Sequence, residues 1–120
     1  MPKNLEISFL LDFYGDILTP KQKETIEYYY NDDLSLGEIA SNQGITRQGV
    51  RDTIKRAEML MYDMEERLGL AQKFRDMQEG LERILKDTQR IEDQNNRSVF
   101  SKEIYDCVVE IKEIAQRLCE

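Results

Sequence analysis

From Val50 onward the apolar residues fall at Val50, Ile54, Ala57, Met61, Met64 and Leu68, at steps of four, three, four, three and four. Gly69 is the only interruption before a second series, Leu70, Phe74, Met77, Leu81 and Ile84. A third series, Ile104, Val108, Ile111, Ala115 and Leu118, closes the chain. Steps of three and four put every member of a series on one side of an α-helix, whereas a strand requires alternation. Charges fill the positions between, so each series marks an amphipathic helix that must pack against something. There is no strand pattern, no repeat of solenoid length and no low-complexity tract. The fold class read from this pattern is all-α.

The first half divides into shorter helices. Asn4 is a good N-cap for a helix running to Tyr14, with Gly15 just past its end. Leu5, Phe9, Leu10, Phe13 and Ile17 are expected to form its apolar face. Thr19-Pro20 reads as a fresh start, with threonine as cap and proline at the first helical position. This second helix extends to about Tyr30 and buries Ile26 with one or two of Tyr28, Tyr29 and Tyr30. Asn31-Asp32-Asp33 is a polar loop, solvated rather than cation-binding. Ser35-Leu36-Gly37-Glu38 has the form of a capping box, opening a short helix that ends near Gln43 with Gly44 as the left-handed residue. Ile45 plugs the core and Thr46 caps a fourth helix. Late in the chain, 93–98 is the expected loop, and the last helix begins near Ser101.

Composition excludes several function classes. The chain has no histidine, which removes the commonest general base and the commonest zinc ligand. Nothing resembles a nucleophile–base pair or a glycine loop that cradles phosphate, so no enzyme, no cofactor and no metal is expected. The two cysteines, Cys107 and Cys119, would stand about 18 Å apart on one helix, beyond disulfide reach. Cys107 adjoins the core position Val108 and is expected to be partly buried, with Cys119 a free thiol. No apolar run approaches the roughly 20 residues of a membrane span, and no signal peptide is evident, so a cytoplasmic location is expected.

Net charge is −7, which argues against bulk attraction to nucleic acid. Its distribution is uneven. Between Thr46 and Arg56 there are four cations (Arg47, Arg51, Lys55 and Arg56) and one anion, Asp52, a net +3 that leaves −10 for the rest of the chain. Arg51 and Lys55 form a like-charge pair four residues apart, mildly costly on a bare helix and a hint of an anionic partner.

The segment Ser35 to Ala57 reads S-L-G-E-I-A-S-N-Q-G-I-T-R-Q-G-V-R-D-T-I-K-R-A. Ala40, Gly44 and Val50 stand where a helix-turn-helix needs a small residue at the crossing, a turn at positive φ and a core residue on the second helix. Preceded by T-P-K-Q-K-E-T-I-E-Y-Y-Y and closed by V-R-x-x-I-x-R-A, the stretch from Leu18 to about Leu60 resembles region 4 of bacterial sigma factors. With the opening N-L-E-I-S-F-L-L-D-F-Y-G and the heptad-rich tail, the full chain resembles the YlxM-type helix-turn-helix proteins of Gram-positive bacteria. That resemblance implies a DNA-binding-type regulatory protein associated with the signal recognition particle pathway. The expected architecture is a sigma region 4-like module over 1–68 followed by a helical tail over 69–120. The heptad stripes of the tail are expected to make the contact of a homodimer, the alternative being packing within one chain. The chain has no room for the other regions of a sigma factor.

Carried onto this sequence, the recognition helix starts at Arg47. Thr46, Arg47, Gln48, Arg51, Lys55 and Arg56 are its candidate nucleic-acid contacts, because Val50 and Ile54 must face inward. Arginine can grip guanine with two hydrogen bonds, glutamine suits adenine, and Lys55 and Arg56 suit phosphates. Asp52 stands among them, where it would repel a phosphate. Two readings remain open: a regulator that docks this helix on DNA, and a protein- or RNA-binding adaptor of the signal recognition particle system.

Overall fold

The computed structural model describes residues 4–119. They form six α-helices and no strand: α1 (Leu5–Tyr14), α2 (Pro20–Tyr30), α3 (Leu36–Gln43), α4 (Arg47–Leu68), α5 (Leu70–Arg97) and α6 (Lys102–Cys119). A 3-10 turn, Gly15–Ile17, joins α1 to α2. The chain divides into two compact units between Ala71 and Gln72. No described helix is long and apolar enough to cross a membrane.

The helix starts of the first unit are chemically explicit. The Asn4 side chain accepts from the Glu6 amide at 2.9 Å. Thr19 and Gln22 close a reciprocal capping box, and Ser35 and Glu38 close another, each pair satisfying two amides that the helix leaves orphaned. Gly15 departs from expectation. It is right-handed (φ −55°) and continues into the 3-10 turn. A Cβ there would make only ordinary van der Waals contact, with Leu11 Cδ1 at 3.4 Å.

The apolar face of α1 also differs from the one read in the sequence. Ile7, Leu10, Leu11 and Tyr14 are buried, while Leu5 and Ile17 are exposed. Phe9 and Phe13 flank the core, packed edge-to-face at 5.1 Å. Both sets of residues have helical spacing. The choice is decided by Tyr14, whose ring can be buried because its hydroxyl donates to Glu65 Oε1 on α4 at 2.6 Å.

Two apolar clusters make up the core of this unit. The first joins α1, Leu18 and Ile26 to Ala57, Met61 and Ala71. The second joins Tyr29 of α2 and Ile39 and Ala40 of α3 to Val50 and Ile54. Glu65 also accepts from the Ala71 amide at 3.0 Å, and Tyr14 Oη accepts from the Leu70 amide at 3.2 Å, so the first turn of α5 is capped by the same pair. Tyr30 Oη likewise donates to Glu58 of α4 at 2.6 Å.

In the second unit, α5 runs on to Arg97, through all but the last residue of the segment expected to be a loop. The turn lies at residues 98–101 instead. Asn95, a helix breaker by composition, is buried, with Nδ2 donating to the Ser101 carbonyl and Oδ1 accepting from the Ser101 amide, both at 3.0 Å. Its amide thus replaces the missing backbone partners of the turn, and the polar run stays helical. Thr88, Val108 and Ala115 are buried, and Lys112 bridges to Glu92 at 2.6 Å and to Gln89 at 2.7 Å. Cys107 is exposed rather than partly buried, because α6 turns Val108 and Ala115, not Cys107, inward.

Burial first, and then the hydrogen bonds to Glu65 and Glu58, push the Tyr14 and Tyr30 phenols above the ordinary value near 10. A raised folded-state value means that the unfolded chain ionises first as pH rises. Stability is therefore expected to be flat through neutral pH and to fall above about pH 10, where free tyrosine titrates. Urea titrations from pH 7 to 11 check this, and the Tyr14→Phe/Tyr30→Phe chain should show a shallower alkaline loss.

Candidate nucleic-acid interface

The candidate contacts are held by what lies beneath them. Gly44 ends α3 at φ +67°, a left-handed conformation that an L side chain resists. Ile45 then packs partly buried on the second cluster, with its amide returning to the Ala40 carbonyl at 3.2 Å. Thr46 Oγ1 accepts from the Gly49 amide at 2.9 Å and so starts α4. Val50 and Ile54 are fully buried. With those two side chains fixed, the rotation of α4 about its axis is fixed, and so is the face it turns to solvent.

On that face Thr46, Arg47, Gln48, Lys55 and Arg56 are exposed, as is Asp52, while Arg51 is half-buried. Arg51 Nε is buried without a hydrogen-bond partner. None of Arg47, Arg51, Lys55 and Arg56 forms an ion pair among the described residues. The like charges are left uncompensated, at a cost of about a few tenths of a kcal/mol for the Arg51–Lys55 pair. Thr46 is a cap before it is a contact, since its oxygen is committed to the helix start.

Asp52 takes a different role from the repulsive one its charge suggests. Its carboxylate accepts from Gln48 Nε2 at 2.9 Å, one turn earlier on the same face. The pair holds the Gln48 amide in one orientation, with its oxygen still free to accept. Arg47 is placed by a residue that the sequence reading passed over. A Cβ on Gly37 would stand 3.2 Å from Arg47 Nε and 3.3 Å from Nη2, so the guanidinium lies across the first turn of α3. A glycine inside a helix costs up to about 1 kcal/mol relative to alanine, and that anomaly was the available signal. Gly49 serves the cap in a similar way, because a Cβ there would lie 3.3 Å from Thr46 Oγ1. The Gln43 side chain fastens α3 to α2, with Nε2 donating to the buried Thr25 hydroxyl at 2.7 Å.

Residues 1–104 match a family described as "Putative helix-turn-helix protein, YlxM / p13 like", UPF0122. The chain belongs to this family. It is 45% identical to a UPF0122 protein of Acetivibrio thermocellus over 97% of this chain and 99% of that one. It is 41% identical to a UPF0122 protein of Thermoanaerobacter sp. over 92% of this chain and 94% of the relative. A UPF0122 protein of Desulforamulus reducens reaches 54% identity over a shorter span, 58% of this chain and 59% of the relative. The family match therefore takes in the whole helix-turn-helix unit and most of the second unit, to the start of α6.

In this UPF0122 chain the two glycines of the helix-turn-helix should respond oppositely to alanine. Gly44→Ala forces a side chain into left-handed backbone and should cost about 1 kcal/mol or more. Gly37→Ala meets only the movable end of Arg47 and should be neutral or stabilising by up to about 1 kcal/mol. Urea unfolding of both variants checks the contrast. A destabilised Gly37→Ala would mean that Arg47 is fixed in place.

Proposed function

We propose that this protein is a non-enzymatic, DNA-binding regulator of the cytoplasm that lays the first three turns of α4 into the major groove. The observation that carries the reading is four uncompensated cations on one helix whose rotation is locked by Val50 and Ile54. Arg47 and the Asp52-oriented Gln48 stand at the N-terminal end, where side chains of a docked helix meet base edges. Lys55 and Arg56, two turns on, are placed for the phosphate backbone. The open N-terminus of α4 adds its dipole. Membership of a helix-turn-helix family supports the same reading.

The −10 carried outside 46–56 favours a second reading, an adaptor of the signal recognition particle system. There, acidic helices would meet a basic protein, or the cationic helix would meet RNA. The two are separated by titrating duplex DNA and signal recognition particle RNA with the full chain across a salt series. For a DNA reader, affinity falls steeply with salt; Arg47→Ala relaxes the preference among duplex sequences, and Lys55→Ala/Arg56→Ala flattens the log–log slope by about two. Lys55→Ala should weaken all duplex sequences alike and lower the slope by about one. No duplex affinity at low salt, or variants indistinguishable from wild type, ends the DNA reading.

A further inference from the structure

The second unit distributes its side chains in an unusual way. α5 from Gln72 onward and α6 form an antiparallel hairpin joined by the turn at 98–101. Both helices carry apolar heptads, and in both one half of the heptad is closed and the other open. The closed positions hold Thr88, Asn95, Val108 and Ala115, with Lys112 and Glu92 bridging beside them. The open positions hold the large aliphatics: Met77, Ile84 and Ile91 on α5, and Ile104, Ile111 and Leu118 on α6, each 40–56% exposed. Each open trio recurs every seventh residue, so it forms a stripe that drifts only about 20° per heptad around its helix.

The fully buried seam positions thus hold nothing larger than Thr88, Asn95 and Val108, with Leu81, Leu85 and Val109 half-buried, while six large aliphatics face out. A hairpin meant to stand alone would be arranged the other way round. At the turn end, Ile91, Val99 and Ile104 line an open groove of about 730 Å³. On α6 the exposed Ile114 and Cys107 border the open stripe on the side away from the seam.

We propose that this open face is the seat of a second copy of the chain, with α5 of each copy packed antiparallel against α6 of the other in a four-helix bundle. A second copy brings two more helices with the same heptad spacing and the required antiparallel direction. A two-fold axis along the bundle keeps the open layers of both copies at matching heights. Charge favours the same occupant. Residues 72–119 carry nine Lys and Arg against ten Asp and Glu, so two hairpins meet without net repulsion although the whole chain is at −7. An anionic membrane would call for a cationic rim and a basic protein for an acidic one, and the hairpin offers neither. The homodimer expected from the heptads thereby acquires a defined face.

The test uses the full chain in light scattering coupled to size exclusion, from micromolar upward. The expected mass is twice 14.2 kDa for wild type and one chain for Ile84→Glu/Ile111→Glu. A wild type that stays monomeric overturns the proposal and leaves the face to a different protein. A variant that keeps the dimer mass overturns it too, by placing the contact elsewhere. Because the variant could lose helicity instead of partner, a second measurement uses the Cys119→Ser chain. Alkylation of Cys107 should slow several-fold as the concentration of that chain rises through the dimerisation range. A rate independent of concentration refutes the assigned face.

Discussion

The first unit depends on α4 being shared. One continuous helix presents Val50 and Ile54 to α3 and the end of α2, and then Ala57 and Met61 to α1, to Leu18 and to Ile26 of α2. Neither apolar cluster is large enough to order three short helices by itself, since α1, α2 and α3 are only 10, 11 and 8 residues long. Threading one rigid rod through both clusters makes them a single cooperative unit. The tyrosine–glutamate bonds, Tyr14 to Glu65 and Tyr30 to Glu58, fix the other helices along that rod. These bonds let large aromatic rings be buried without orphaning their hydroxyls.

The same sharing sets the chemistry of the exposed face. Once the buried side of α4 is fixed, the residues one position away from it have no freedom to retreat. Lys55 and Arg56, beside buried Ile54 and Ala57, stand in solvent for that reason, as does Arg47 in the first turn, while Arg51, beside Val50, is half-buried. The surroundings then refine the set without neutralising it. Gly37 clears a bed for the Arg47 guanidinium, and Asp52 steers an amide instead of quenching a cation. A chain with an overall charge of −7 can thus keep a short cationic edge, because the screening length at physiological salt is about 8 Å and distant acids are largely screened.

The second unit follows a different logic. Its helices are long, and its interior seam is built from Thr88, Asn95, Val108, Ala115 and the Lys112–Glu92 bridge. Polar groups in such a seam add little net stability, but they fix register, since a slip would leave a buried charge or amide unpaired. Asn95 illustrates this most clearly. One side-chain amide, by bonding both backbone groups of Ser101, defines where α5 yields to the turn.

The sequence alone determined the all-helical class, the capped helix starts at Thr19, Ser35 and Thr46, the left-handed end at Gly44, and the inward positions Val50, Ile54, Ala57 and Met61. Each of these follows from local chemistry: backbone dihedrals, orphan amides and three-and-four periodicity act within a few residues of chain. Tertiary structure decided what local rules leave degenerate. Two faces of α1 had helical spacing, and the partner for the Tyr14 hydroxyl buried Ile7, Leu11 and Tyr14 beside Leu10, with Phe9 and Phe13 packed at the edge of the core and Leu5 and Ile17 left exposed. A polar run that composition assigns to loop became helix because Ser101, six residues away, satisfied Asn95. Gly37 and Asp52 gained their roles only when α3 crossed α4 and Gln48 took its rotamer. Periodicity says which residues can share a face, but only the groups brought against that face decide whether it is buried, and what its neighbours do.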